Sequence, residues 1–285
     1  MITITEISNL TQIFDYQKRF SSPYSFSTDF IVWKNSFTDD IDGEGRKLFK
    51  TLYGKAAYDN SNLVGFIQYG HTAFGFDETG EISVNISHPI IRMLYFDKGR
   101  EDAGNALLNE ALKEFATSGT VYAFFHYFGM SCFARHGKLF EHFHWIAALL
   151  KHSGFAVEHE NVYYSSTFQT IVRDTEVEIV AQEPSIGTQQ ALDFLLRGNH
   201  IGSCEVHYPE TTGASYLRWI YINENLQNQG IGSKCMDALK QWLHQKDFFR
   251  LDTDTALSNL IAQHYYTKND FVREGITRSY FLTRK

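Results

Sequence analysis

The sequence predicts a fold mixing strands and helices, α+β or α/β, built from two copies of one unit. Three observations carry this expectation. Strand-like and helical periods alternate from one end to the other. Two helices, one in each half, share the phase of their apolar stripe: Leu107, Leu108, Ala111 and Phe115 recur 128 residues later as Cys235, Met236, Leu239 and Leu243. Each half also closes with the same helix–turn–strand phrase, His152-Ser-Gly-Phe155 and Lys268-Asn-Asp-Phe271. A repeat this long implies duplicated domains rather than a solenoid. The expected domains are residues 1–172 and 173–285, meeting in the polar stretch Arg173–Glu178.

Met1–Ile7 reads as a strand and Leu10–Phe20 as a helix started by Ser8 or Asn9. Leu48–Tyr58 and Asn62–Gly75 read as a hairpin, and His88–Phe96 as a buried strand. Ala103–Phe115 is helical by spacing, Val121–Phe128 strand-like and Leu139–Leu150 helix-like, with a further strand from Phe155. In the second half, Ala191–Tyr208 reads as a hairpin turning at Arg197–Asn199. Then come strand Ser215–Ile222, helix Gly232–Gln245, strand Phe248–Thr253, helix Ser258–Thr267 and strand Phe271–Thr283. The second copy is expected to lack the early helix of the first.

The 285 residues are 43% hydrophobic, 15% aromatic and 21% charged, the composition of a globular chain with a sizeable core. A net charge of −7 with no basic run argues against nucleic acid, whose binders neutralise phosphates with a basic stripe. Cys132, Cys204 and Cys235 are odd in number and lack metal-type spacing, so they read as buried thiols in a reducing compartment. The N-terminus lacks the pattern of a signal peptide, and no apolar run approaches the roughly 20 residues that span a bilayer. A cytoplasmic location, without membrane association, is expected. His142 and His144 are two apart on a predicted helix and face different ways, so no metal site is expected.

The sharpest local signal is strand Tyr216–Ile222, the segment Asn223–Ser233 and the amphipathic helix that follows. A strand feeding a helix through a glycine-bearing turn presents backbone N–H groups at the positive end of the helix dipole, a ready anion site. Gly230 and Gly232 allow close approach of backbone to phosphate. A P-loop is excluded, because Gln227 stands where its first glycine belongs and Ser233 where its lysine belongs. The dinucleotide pattern fails at Cys235, where its third glycine belongs.

Gln227–Gly232 fits Q/R-x-x-G-x-G/A, and Asn259-x-x-Ala262-x-x-Tyr265-Tyr266-x-Lys268-x-x-Phe271 resembles N-x-x-A-x-x-F-Y-x-K-x-G-F. In this order the two motifs resemble the GNAT superfamily of N-acetyltransferases, with Gln for the commoner Arg at 227 and Asp270 for the usual glycine. The resemblance implies two GNAT-like domains, each a mixed, mostly antiparallel sheet flanked by helices. The first is degenerate and the second bears the acetyl-CoA motifs. It further implies acetyl-CoA as cofactor and, as acceptor, a primary amine of a small molecule or peptide. Pyrophosphate would rest on Gln227, Asn228, Gln229, Gly230, Ile231, Gly232 and Ser233. Pantetheine would run beside Ile220 and Ile222 on a splayed strand, with Asn259 near its arm.

Amine acylation needs a proton acceptor, a polarised carbonyl and, helpfully, a proton for the leaving thiolate. The resemblance makes Tyr266 that acid and a strand amide near Ile222 the oxyanion donor. Family members often carry the base on the strand matching Ser215–Ile222, which here holds no Asp or Glu. Glu205 is the leading substitute, with His207, and then Asp252 and Asp254, behind it. Cys235 lies in the apolar stripe and reads as structural. Two other readings share the fold: a non-catalytic acyl-CoA-binding or scaffold protein, and a Fem-type aminoacyltransferase, which the acidic balance disfavours. A homodimer is compatible with the sequence. In the first copy, Gln227 aligns with Gly99 or, in a register two residues shorter, with Glu101, and Gly230 aligns with Asp102 by the helix phase. Tyr266 aligns with Leu150. An acidic residue therefore meets the phosphate position, and that copy is expected not to be a second catalytic site.

Overall fold

The alternation becomes fifteen strands and six α-helices among the described residues of the computed structural model, which omit 24, 26, 39, 43–44, 117–118, 134–135, 170–175, 183–188, 209–212 and 285. In chain order the first stretch holds β1 (Ile2–Glu6), α1 (Leu10–Gln17), α2 (Phe30–Thr38), β2 (Phe49–Asp59), β3 (Asn62–Thr72), β4 (Gly75–Phe76) and β5 (Ile82–Ser83). Then follow β6 (Pro89–Phe96), α3 (Glu101–Glu114), β7 (Thr120–Ala123), β8 (Leu139–Phe140), α4 (His144–His152) and β9 (Ala156–Thr167). The remainder holds β10 (Val177–Ala181), β11 (Gln189–Leu196), β12 (Asn199–His207), β13 (Ala214–Ile222), α5 (Ile231–His244), β14 (Arg250–Ala256), α6 (Leu260–Lys268) and β15 (Val272–Thr283). The expected junction Arg173–Glu178 begins outside the described residues.

Two compact units emerge. The first comprises Met1–Ile41, Arg46–Glu160 and Thr277–Lys285, and the second Asn161–Ile276 with Asp42–Gly45. These divisions fall inside β9 and β15 rather than at residue 172. In the first unit the strands run β1-β2-β3-β6-β7-β15, antiparallel except for the parallel pair β6/β7. In the second they run β9-β14-β13-β12-β11-β10, antiparallel except for the parallel pair β13/β14. Each unit thus repeats one pattern, a parallel pair inside an antiparallel sheet. Each draws a closing strand from the other half of the sequence: β15 for the first, β9 for the second.

Local chemistry explains most elements. Asn9 caps α1 by accepting from the Gln12 N–H at 3.1 Å. The hairpin β11–β12 turns on Arg197 and Gly198, both left-handed, which matches the twist of the strands it joins. Three expectations are corrected. The strand expected over Val121–Phe128 stops at Ala123, because Phe124 takes φ 55° and turns the chain. The helix expected from Leu139 starts at His144, since Leu139 and Phe140 pair with β15 instead. His142 consequently lies ahead of the helix that begins with His144. In the second unit no helix precedes β11 among the described residues, whereas the first has α1 and α2.

The core of the second unit lies between its sheet and helices α5 and α6. Leu192, Phe194, Cys204, Val206, Leu217 and Leu251 from the strands meet Cys235, Met236, Leu239, Leu243 and Tyr266. In the first unit a polar knot is buried beside the apolar core. The Arg92 guanidinium is fully enclosed against Asp40. Its N–H groups also donate to the carbonyls of Phe128 at 2.9 Å, Ser36 at 3.0 Å and Gly129 at 2.9 Å, and to Gln68 Oε1 at 3.3 Å. Asp40 further accepts from the Ser131 N–H at 2.9 Å. Removing one partner strands the other charge, so Asp40→Ala should cost about 3–5 kcal/mol. Urea unfolding of the variant against the parent protein measures this; a loss under about 1 kcal/mol would mean that water replaces the lost carboxylate.

Candidate functional site

The glycine loop is shaped by its own side chains. After β13, Asn223 N–H donates to Ile201 O at 2.9 Å, and a short turn covers Glu224–Leu226. Gln227 Nε2 donates to Ile222 O at 2.9 Å and Gln229 Nε2 to Asn225 O at 2.8 Å, so both glutamines brace the loop. Asn228 (φ 60°) and Gly230 (φ 80°) are left-handed, and Gly230 caps α5. The first helical bond of α5 runs from Lys234 N–H to Gly230 O, 3.3 Å. The N–H groups of Ile231, Gly232 and Ser233 thus precede the helical ladder and crowd the positive end of the dipole. No acidic residue stands in this first turn, and open space surrounds the missing Cβ of Gly230.

Gly232 is fixed by packing. A Cβ there would come within 3.0 Å of Tyr265 Cε2, and the Tyr265 hydroxyl donates to Gly232 O at 2.8 Å. The second motif therefore clamps the start of α5 to α6. Asn259 caps α6, its side-chain oxygen accepting from Ala262 N–H at 3.1 Å. Asp270, standing where the motif has glycine, adopts the left-handed conformation (φ 65°) itself.

Beside the loop, β13 and β14 part. Their last registered pair is Leu217 with Thr253, while β13 continues to Ile222 and β14 to Ala256. Arg218 is an extra residue on β13: Trp219 pairs with Glu205 and Leu217 with Val206 across β12. Beyond this bulge, the Asn223–Ile201 bond sets the alternation. Tyr221 and Trp219 bond to β12, and the backbone groups of Ile220 and Ile222 are directed toward the opening, where Gln227 Nε2 already takes Ile222 O. Ile222 and Ile220 side chains pack on the helix-side core.

Tyr266 stands at the apex of this opening. Its hydroxyl shares a hydrogen bond with Thr253, whose own hydroxyl donates to Leu217 O at 3.0 Å. Burial among Tyr164, Tyr265 and Phe271 raises its pKa, so the phenol keeps its proton near neutrality. Glu205 lies on β12, where Arg218 Nε approaches one carboxylate oxygen at 3.0 Å and Trp219 Nε1 donates to the other at 3.3 Å. His207 is buried and registers opposite Tyr216. Cys235 is enclosed in the core, its thiol pushed up to about 12 by burial.

The sheet face opposite the helices carries a group that sequence reasoning did not assemble. Tyr216 OH donates to Asp254 Oδ1 and Tyr163 OH to Asp252 Oδ2, each at 2.8 Å. Arg250 holds both Asp252 oxygens at 2.7 Å. Burial outweighs these partners and pushes Asp252 up to about 6.

The first unit departs from this arrangement. Its helix α3 buries the same stripe as α5 but begins two residues earlier on that alignment, so Glu101 and Asp102 form a helical turn where α5 has its loop. Arg100 forks onto Asp102 at 3.0 and 3.1 Å. A cleft of about 300 Å³, lined by Phe14, Trp33, Met93, Tyr95, Met130 and Phe133 among others, lies where β6 outruns its partner β7. None of the sequence-predicted site residues lines it.

Residues 156–271 match the family model described as Acetyltransferase (GNAT) family. Over its full length the chain has the fold of solved tandem GNAT proteins. It is similar to a tandem GNAT protein from the clavulanic acid biosynthesis pathway, at TM-score 0.65, 9% identity and coverage of 99% of this chain and 98% of the other. It is similar also to a GCN5-related glucosamine N-acetyltransferase region of a fungal multi-domain β-N-acetylglucosaminidase, at TM-score 0.67 and 9% identity. That match covers 99% of this chain but only 38% of the longer fungal one. A GCN5-related N-acetyltransferase from Sphaerobacter thermophilus matches at TM-score 0.55 and 10% identity, covering 99% and 95%. No curated protein matches the sequence.

Gly230→Ala should destabilise the protein by about 1–2 kcal/mol, because an L side chain is strained at φ 80° although space is open. Chemical unfolding measures it; an unchanged midpoint would mean that the loop relaxes to another conformation.

Proposed function

We propose that the second unit is an acetyl-CoA-dependent N-acetyltransferase that acetylates a primary amine of a small molecule or peptide, working in the cytoplasm. The carrying observation is the convergence of an acid-free helix N-terminus, a strand opening with outward backbone groups and the buried Tyr266 phenol at its apex. These residues suit coenzyme A chemically. Amides of Ile231–Ser233 and the positive helix end would hold pyrophosphate. The backbone groups of Ile220 and the N–H of Ile222 would accept the amide-bearing pantetheine as an added strand accepts its neighbour. When bound, the cofactor supplies an acetyl thioester, whose carbonyl is open to attack by an amine.

The protein's residues would act around that bond. The N–H groups facing the opening near Ile222 would polarise the thioester oxygen. Tyr266 holds a proton at its hydroxyl for the leaving sulfur. Glu205, engaged by Arg218 and Trp219, would steady the β12–β13 edge of the acceptor side. The neighbour described as a glucosamine N-acetyltransferase makes an aminosugar a natural member of any acceptor panel.

A thiol-release assay with acetyl-CoA and glucosamine, tyramine and a lysyl dipeptide tests the activity; release above the hydrolysis rate with at least one amine is expected. Acetyl-CoA at 100 times its dissociation constant should add about 2.7 kcal/mol of stability, several degrees in melting temperature. Gly230→Glu should erase that shift, and a wild-type melt indifferent to saturating acetyl-CoA would sink the proposal.

Tyr266→Phe should keep the shift while lowering kcat on the order of 10²-fold. Turnover at the parent rate would leave Tyr266 a packing residue only. Calorimetric titration should return one acetyl-CoA per chain, since Glu101 and Asp102 oppose phosphate at the start of α3; two equivalent sites would refute this.

A further inference from the structure

We infer that Asp254 is the group that binds the acceptor as an ammonium ion and takes its proton, held in place by the Tyr216 hydroxyl. This rests on the proposed acetyltransferase reading and adds to it the acceptor side of the site, which the motifs leave blank.

Position argues first. Thr253 is the last β14 residue paired with β13, so Asp254 is the first residue beyond the parting of the strands. Side chains alternate along a strand. Thr253 lies on the helix face, bonded with Tyr266, and Asp254 emerges on the other face one residue along. Acid and base thus flank the opening from opposite faces, which is what transfer demands: the amine approaches the carbonyl from one side while the sulfur departs toward the other. Tyr266 feels the Asp254 charge, which raises its phenol pKa further.

Chemistry selects Asp254 from the carboxylates nearby. Asp252 has no exposed surface, and Arg250 occupies both its oxygens. Glu205 lies on β12, not on either strand that parts. Asp254 is half-buried at the parting of the strands, where it accepts from the Tyr216 hydroxyl at 2.8 Å. The charged and titratable groups around it are Tyr216, Arg218 and, beyond Tyr216, His207; then Tyr163 on β9, Asp252 on its own strand and Tyr266 on α6. A half-buried carboxylate ringed by tyrosines suits an ammonium group on an aromatic or aliphatic stem.

The step balances. The ammonium passes a proton to the Asp254 carboxylate, and the freed nitrogen forms a bond to the thioester carbon. The carbon–sulfur bond breaks and the sulfur takes the Tyr266 proton. The nitrogen loses its second proton to solvent, Asp254 returns its proton to water and Tyr266 is reprotonated. The sum is ammonium plus thioester giving amide, thiol and one proton.

The experiment compares wild type with Asp254→Asn and Asp254→Glu, using glucosamine, tyramine and the lysyl dipeptide as probes. Asn can still accept from Tyr216, so the fold should persist, and the acetyl-CoA melting shift checks that it does. In Asp254→Asn we expect kcat/KM for the acetylated amine to fall by about 10²-fold or more. We also expect calorimetric binding of that amine, without acetyl-CoA, to weaken by about tenfold or more, with the melting shift intact. Asp254→Glu should recover part of both. Wild-type kcat/KM and wild-type amine affinity in Asp254→Asn would overturn the inference and leave the acetyltransferase reading standing. A wild-type protein with no acetyl-CoA shift, or one that acetylates none of the amines, would overturn both.

Discussion

Every backbone N–H and C=O needs a partner, and in the second unit the parting of β13 from β14 leaves backbone groups of β13 facing an opening instead of a neighbouring strand. β13 and β14 share four registered pairs and then separate, although each strand runs on. The bulge at Arg218 marks the parting, and bulges bend a strand and raise its twist. The chain continues straight from Ile222 into the loop that starts α5, so the unpaired edge and the helix N-terminus adjoin. Both are polar, and both hold backbone groups outside the sheet and helix ladders, an arrangement suited to a long ligand that carries amides at one end and phosphates at the other. The rest of the unit holds that gap open: Tyr265 pins α6 to α5 through Gly232, and Thr253 ties the apex to Leu217 O.

Duplication explains the frame and divergence explains the difference between its halves. Helices α3 and α5 bury one stripe, because packing against a sheet constrains the buried face and little else. Their first turns are free to differ. In α5 two left-handed residues delay the helix and leave amides free, whereas α3 starts early with Glu101 and Asp102, which complement its own dipole. The acidic pair is therefore good for the helix and bad for a phosphate. One change of start point exchanges free amides for a stability feature, with the buried stripe untouched.

Much of this was legible because it is local. Asn9 as a cap, the Arg197–Gly198 turn, the glycine loop and the stripe of α5 are each written within a few residues. Helix α2 was not read from the sequence, because Phe30-Ile-Val-Trp has the β-branched and aromatic look of a strand. The signal that finds it is Asp29, whose side chain accepts from the N–H groups of Ile31 and Val32 at 2.8 and 2.9 Å. Phe124 ended a strand that its aromatic neighbours extended on paper, since left-handed backbone at a phenylalanine has no sequence mark. The exchange of β9 and β15 between the compact units is non-local, and periodicity carries no information about which strand closes which sheet.

The sequence names Asp254 only behind Glu205 and His207 as a candidate base, and its pairing with Tyr216 is illegible for the same reason, which bears on how such a site is built. The motifs record the donor half, since a loop and a helix can be specified by spacing alone. The opposite half depends on register: Tyr216 and Asp254 are 38 residues apart and meet only because β13 and β14 run parallel with Leu217 against Thr253. A one-residue slip would turn Asp254 toward the helices and Thr253 away from Tyr266. Side-chain alternation across a single strand thus sets the proposed acid and the proposed base on opposite faces, one residue apart in pairing order. Because the sheet fixes that arrangement, side chains on one face can change while the glycine loop and Tyr266 on the other are preserved.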